Sequence, residues 1–177
     1  MTELTTPRLI LRHWRAADLE PFAALNSDPA TMEFLGPSLS RSESDALARR
    51  AEDALARRGF GFWALEVRES GLFAGFVGLS VPGFEAHFTP CVEVGWRLAP
   101  AVWGRGYATE AARACLEFGF RVQGLREIVA FTVRANRRSR AVMERLGMRY
   151  DPAGDFEHPR LAPGDPLRAH VLYRIGA

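Results

Sequence analysis

Lysine is missing altogether, so all 23 basic residues in the 177-residue chain are arginines. A phosphate-binding loop that ends in Gly-Lys-Ser/Thr therefore cannot form, which argues against nucleoside triphosphate hydrolysis. Cysteine is scarce: Cys91 and Cys115 cannot build a disulfide framework or a zinc site, and both read as buried, reduced thiols. His13, His87, His158 and His170 lack metal-ligand spacing, and no Ser-His-Asp or Cys-His motif surrounds them, so no metal is expected. Apolar runs such as Ile128 to Val133 fall far short of the roughly 20 residues a membrane-crossing helix needs, so no membrane partner is expected. A cationic leader, an apolar signal core and a small-residue cleavage site are also missing, and a cytoplasmic location is expected. The net charge is only +2, which argues against a dedicated nucleic-acid binder.

Present instead is the balance of an ordinary globular chain, 47% apolar and 25% charged, of a length that suits one domain over residues 1–177. Arg8 to Trp14 reads as a first strand, Asp18 to Asn26 as an amphipathic helix, and Asp28-Pro29 as the opening of a further helical turn. Ser40 to Arg58 predicts a surface helix with a stripe of Ala46, Leu47, Ala51, Ala54 and Leu55, ended by Gly59 and Gly61. Strands follow at Phe62 to Val67, Leu72 to Val81 and Cys91 to Leu98. After Gly104 and Gly106 comes a helix with a face of Ala108, Ala111, Ala112, Cys115 and Gly119, small enough for close packing. Glu127 to Val133 reads as a buried strand, Asn136 to Leu146 as a helix, and Leu167 to Ile175 as one of one or two closing strands. The order implies a mixed α/β sheet flanked by helices.

The strongest local signal is Trp103-Gly104-Arg105-Gly106-Tyr107-Ala108, set between a strand and a helix. Glycines without Cβ atoms let backbone approach a phosphate, and unpaired N–H groups at the helix start, with the helix dipole, favour an anion. A dinucleotide fingerprint fits poorly, because the third small residue and the downstream acid are not where it needs them.

Extended as Trp103 to Ala111, then Asn136-Arg137-Arg138-Ser139 and Glu144-Arg145-Leu146-Gly147-Met148, this pattern resembles GNAT acetyltransferases. Pro7 to Arg12 and Glu93 to Leu98 resemble the branch that contains ribosomal-protein N-terminal acetyltransferases. The resemblance implies a single domain with a central, mostly antiparallel sheet, and acetyl-CoA as co-substrate for acetylation of a primary amine. It implies that Trp96, Arg97 and Leu98 pair their backbone with the pantetheine arm. Trp103 lies beside the loop, and Gly104, Arg105, Gly106, Tyr107, Ala108 and Thr109 would cradle the pyrophosphate, with Asn136 on the pantetheine portion. Met143 stands where many relatives carry a tyrosine that protonates the departing thiolate, which leaves Ser139, one turn earlier, as the candidate. Ala101 replaces a common Arg or Gln at the loop start, leaving phosphate contact to backbone amides. The ribosomal branch also implies a glutamate beyond this helix, matched to within one residue by Glu157.

The acceptor amine must be neutral to attack. An α-amine is roughly a tenth neutral at pH 7, a handicap of about 1.4 kcal/mol, against about 4.6 for a lysine. A protein N-terminus is therefore the first reading of the acceptor, with a small-molecule amine such as an antibiotic or polyamine, or a non-catalytic CoA-binding domain, as alternatives. A homodimer stays open. Glu93, alternating against Val92, Val94 and Trp96, could take the amine's proton through water or could simply pair with Arg97 on the same face. Ser139 could instead bond local backbone, and Asn136 suits a helix N-cap. Arg134, Arg137, Arg138, Arg140, Arg145 and Arg149 read as a solvated face from which one or two guanidiniums meet the coenzyme's 3′-phosphate.

Overall fold

The computed structural model describes residues 2–177. Eight strands form one sheet in the order β1-β2-β3-β4-β5-β6-β8-β7: β1 Leu4–Thr5, β2 Leu9–Arg12, β3 Phe62–Val67, β4 Leu72–Ser80, β5 Glu93–Leu98, β6 Glu127–Val133, β7 Arg149–Glu157 and β8 Ala169–Gly176. Every neighbouring pair is antiparallel except β5 and β6. The helices are α1 Leu19–Ser27, α2 Pro29–Met32, α3 Arg41–Arg58, α4 Tyr107–Arg121 and α5 Arg137–Arg145. Among the described residues no helix is long and apolar enough to cross a membrane.

The chain enters its helices where the caps dictate. Asp28 accepts the Thr31 N–H at 2.8 Å to start α2. Ser40 and Glu43 form a reciprocal capping box on α3, and Gly59 closes it at φ 73°. The buried face of α3 is Ser44, Ala48, Ala51 and Leu55, so Ala46, Leu47 and Ala54 are flankers rather than the seam. The expected strand from Arg8 to Trp14 is shorter, because the Trp14 N–H turns to Glu52 and its indole N–H to the Phe62 carbonyl, drawing the chain off the sheet. β5 starts at Glu93 because Ser80, the last residue of β4, lies opposite it. The closing strand starts at Ala169 rather than Leu167, whose N–H is taken by Asp165 in a turn. The other closing strand, β7, carries a register shift between Asp151 and Phe156 that hides its alternation.

The two sheet faces bury different cores. Leu9, Leu11, Trp63, Leu65, Val94 and Ile128 meet α4, whose small face brings it close: a Cβ on Gly119 would stand 2.7 Å from Ile128. Phe22 and Leu25 of α1 and Ala48 of α3 cover Ala64, Phe73 and Phe76 on the other face.

The corner where β2 leads into α1 is held by a buried ion pair. Arg12 meets both carboxylate oxygens of Asp18, at 2.7 and 2.8 Å, with the side chains 4% and 3% exposed. Asp18 also accepts the Arg15 N–H, and Arg12 donates to Glu66. Without Asp18 the buried Arg12 keeps only Glu66 as a carboxylate partner. Asp18→Asn is therefore expected to lower stability by about 3 kcal/mol, read from urea unfolding at neutral pH.

Candidate active site

β5 and β6 share a single register, Glu93 opposite Val129, and then part. Each is held by its outer neighbour, β5 along six positions of β4 and β6 along seven of β8. The gap becomes a cleft of about 1330 Å³. On β5 the Ala99 N–H still bonds Ala74 of the β4 side, so by alternation the peptide groups of Trp96 and Leu98 face the open edge. The Leu98 carbonyl is met by the Trp103 indole N–H at 2.8 Å.

From the end of β5 the chain makes a short turn at Pro100–Val102 and reaches Gly104 and Gly106, at φ 76° and 78°. Only glycine takes both conformations without strain. Gly106 is the N-cap of α4 and offers no side chain, so the N–H groups of Tyr107, Ala108 and Thr109 stay free of helix and cap partners. Glu110, in the first turn, would repel an anion, but Arg8 and Thr6 engage it. Arg8 Nε stands 2.6 Å from one oxygen, and Thr6 Oγ1 stands 2.6 Å from the other. Burial raises the Glu110 carboxyl, yet these bonds outweigh it and hold it below its ordinary pKa. The Arg8 guanidinium also donates to the Arg105 carbonyl at 2.9 Å and lies over the Tyr107 ring. Sequence reasoning gave Arg8 no role, since its partners lie about a hundred residues away and no spacing announces them.

Every residue expected to meet the acyl donor lines this one cleft: Trp96, Arg97, Leu98, Trp103, Gly104, Arg105, Gly106, Tyr107, Ala108, Thr109, Asn136 and Ser139. The basic stretch divides. Arg137, Arg138 and Arg145 face the cleft, whereas Arg134 pairs with Asp155 and Arg140 bonds the Tyr173 hydroxyl. Among the described residues Arg105, Arg113, Arg137 and Arg145, all in the cleft wall, make no ion pair, so the cleft is strongly positive. Arg138 stacks over Trp103 at 4.2 Å and reaches across to Glu33 at 2.8 Å.

Asn136 is the N-cap of α5. Its side-chain Oδ1 accepts the Ser139 N–H at 3.1 Å, and its side-chain amide donates to Thr132 and to the Ser139 hydroxyl oxygen at 3.0 and 3.2 Å. Its amide N–H groups are thus spent within the protein, while Ser139, accepting from Asn136, keeps its own O–H free to donate into the cleft. Met143 is 1% exposed and belongs to the core.

The carboxylates separate. Glu93 lies where β5 and β6 still touch, on the Arg97 face of β5 and not among the residues that line the cleft, its carboxyl pushed up to about 7 by loss of water, with the Ser80 hydroxyl partly offsetting this. It does not pair with Arg97, which turns to Asn26 instead. Glu157 does not line the cleft either. It ends the edge strand β7, 63% exposed, with Arg168 Nε at 2.6 Å, because alternation turns Phe156 inward and Glu157 out. Cys115 is buried and its thiol is pushed well up by desolvation. Cys91 is only half-buried, pushed up to about 11 by burial and by Glu93, so neither thiol is an activated nucleophile. Among the described residues no three His, Cys, Asp or Glu side chains gather to hold a metal.

Residues 8–149 match the family model described as an acetyltransferase (GNAT) domain. The chain belongs to the GNAT acetyltransferase family. It is 30% identical over 150 residues to the uncharacterized protein YkkB of Bacillus subtilis, covering 84% of this chain and 86% of that one. It is 31% identical over 130 residues to an FsC-acetyl coenzyme A-N(2)-transacetylase of Aspergillus fumigatus, covering 70% of this chain and 55% of that protein. The ribosomal-protein-S5-alanine acetyltransferase of Vibrio fischeri superposes with a TM-score of 0.76 over 99% of this chain and 97% of that one, and at 15% identity this shows a common fold. The family expectation drawn from the glycine loop is met, as is the mixed, mostly antiparallel sheet.

As a GNAT protein, the chain is expected to melt at a higher temperature with saturating acetyl-CoA. Gly106→Val, forced to φ 78° with a branched Cβ, should cost about 1–2 kcal/mol of stability and remove most of the acetyl-CoA shift. Thermal melts of both proteins with and without the ligand check this.

Proposed function

We propose that the protein transfers an acetyl group from acetyl-CoA to the N-terminal amine of a peptide or protein. Acetyl transfer to an amine accords with family membership. The acceptor class rests on the amine itself, since an α-amine is already partly neutral near pH 7, and Glu93, its carboxyl pushed up to about 7 by burial, is the carboxylate suited to take its proton. An α-ammonium of about 8 gives up its proton to such a base more readily than a lysine of about 10.4 does.

The donor fits the residues present. The free N–H groups of Tyr107, Ala108 and Thr109 with the unpaired arginines suit a pyrophosphate, and the open edge of β5 suits an amide-bearing arm. Acetyl-CoA supplies the thioester. Glu93 takes the amine's proton through water, the Trp96 and Leu98 N–H groups face the reacting carbonyl, and Ser139 donates its O–H to the leaving sulfur. A small-molecule acceptor is the second reading, favoured by the relative named as an N(2)-transacetylase.

Consumption of acetyl-CoA against panels of peptides and small amines decides between the two. With the preferred acceptor, Ser139→Ala is expected to lower kcat about ten- to a hundredfold while leaving acetyl-CoA affinity largely intact, the pattern of an interaction made mainly in the transition state. The pH–rate profile should rise through about 7 as Glu93 loses its proton, and Glu93→Gln should remove that inflection.

A further inference from the structure

Arg97 is a cation without a counter-ion in a place where water is scarce. Its side chain leaves β5 on the face opposite Trp96 and Leu98, away from the phosphate loop and toward α1 and α2. One Nη donates to the Asn26 side-chain Oδ1 at 2.6 Å, and the guanidinium lies 5.4 Å from the centre of the Phe76 ring. Nε is shut off from solvent and has no hydrogen-bond partner. Burial pushes the group down to about 10, the mark of a charge that the protein does not neutralise.

No carboxylate nearby is free to neutralise it. Glu20 is held by Arg41, Asp28 caps α2, and Glu33 belongs to Arg138. Glu93, on the same strand face, stands four residues away, a separation of roughly 13 Å along an extended chain. Yet the position is built rather than accidental. Asn26 is fully buried and fixed by the bond from its amide to Ser44 at 2.8 Å, so its oxygen is presented to Arg97 at a set angle. Gly75 lets β4 press against this point, since a Cβ there would fall 2.1 Å from the Arg97 carbonyl. Arg97 lines the cleft together with Thr31 and Phe34.

From this juxtaposition we propose that Arg97 recognises a carboxylate on the acceptor, so that the preferred substrate is an N-terminus followed closely by an aspartate or glutamate. With one Nη spent on Asn26 and Nε shut off from solvent, the guanidinium's other Nη is left to meet a carboxylate, and an anion from outside would supply the charge that the fold withholds. The inference deepens the N-terminal reading given above and rests on it.

The test compares two peptides of equal length with identical first residues, one carrying Asp-Glu at the second and third positions and the other Asn-Gln. A matched pair of small amines, 4-aminobutyrate and butylamine, is run alongside. The wild-type protein is expected to favour the acidic peptide at least tenfold in kcat/KM, mostly through KM. In Arg97→Gln that ratio should fall to about one or two, and Arg97→Lys should restore part of it, with the KM for acetyl-CoA little changed. A merely structural tether would slow both peptides alike and leave the ratio intact. The acetyl-CoA melting shift shows that each variant is folded, and Arg97→Met serves if the Gln variant is not. Equal use of the two peptides by the wild type, or an acidic preference that survives in Arg97→Gln, overturns the proposal while the N-terminal reading stands. If neither peptide reacts but 4-aminobutyrate outruns butylamine only when Arg97 is present, the N-terminal reading falls and the carboxylate site stands.

Discussion

The parting of β5 and β6 is the constraint on which the rest of the molecule depends. A parallel pair in mid-sheet would ordinarily run its whole length, since every unpaired peptide group removed from water has a cost. Here one register, Glu93 with Val129, is all that forms. The strands follow their antiparallel partners instead, β5 along β4 and β6 along β8, and the two half-sheets diverge. What remains at the fork is an edge with donors and acceptors turned into a cleft. A ligand with an extended, amide-bearing arm can complete that edge as a missing strand would.

The same fork sets the electrostatics. Because α4 must return the chain from β5 to β6, its N-terminus lands at the mouth of the gap, with glycines in place of a capping side chain. An acid in that first turn would oppose an incoming phosphate, and Glu110 is tolerated because Arg8 and Thr6 bind it from the β2 end. The wall opposite contributes Arg137, Arg138 and Arg145 from α5. Two positive regions thus lie on opposite faces of β5: a broad one suited to polyphosphate, and a single guanidinium at Arg97 toward α1.

The two groups to which the proposed reaction assigns proton transfer are likewise set apart. Loss of water pushes the Glu93 carboxyl up to about 7, well above a carboxylate in water. Ser139 gains a defined orientation from Asn136, which caps α5 and fixes the hydroxyl oxygen at once. Met143 is withdrawn into the core.

Local chemistry made much of this legible in the amino-acid order alone. The glycine loop, the Asp28, Ser40 and Asn136 caps, the small-residue face of α4 and the β6 strand are written in neighbouring residues, because caps and periodicity act over a turn or a strand. So the mixed sheet and the anion-binding loop could be read without coordinates. The closing strand β7 could not be placed, since its register shift breaks the alternation that reveals a strand. Nor could the role of Arg8, the sorting of the α5 arginines, the exclusion of Glu157 or the solitary charge of Arg97 be foreseen. Each depends on what stands across from a side chain tens of residues away. Only the packed sheet decides that, because charge compensation and desolvation are properties of neighbours in space.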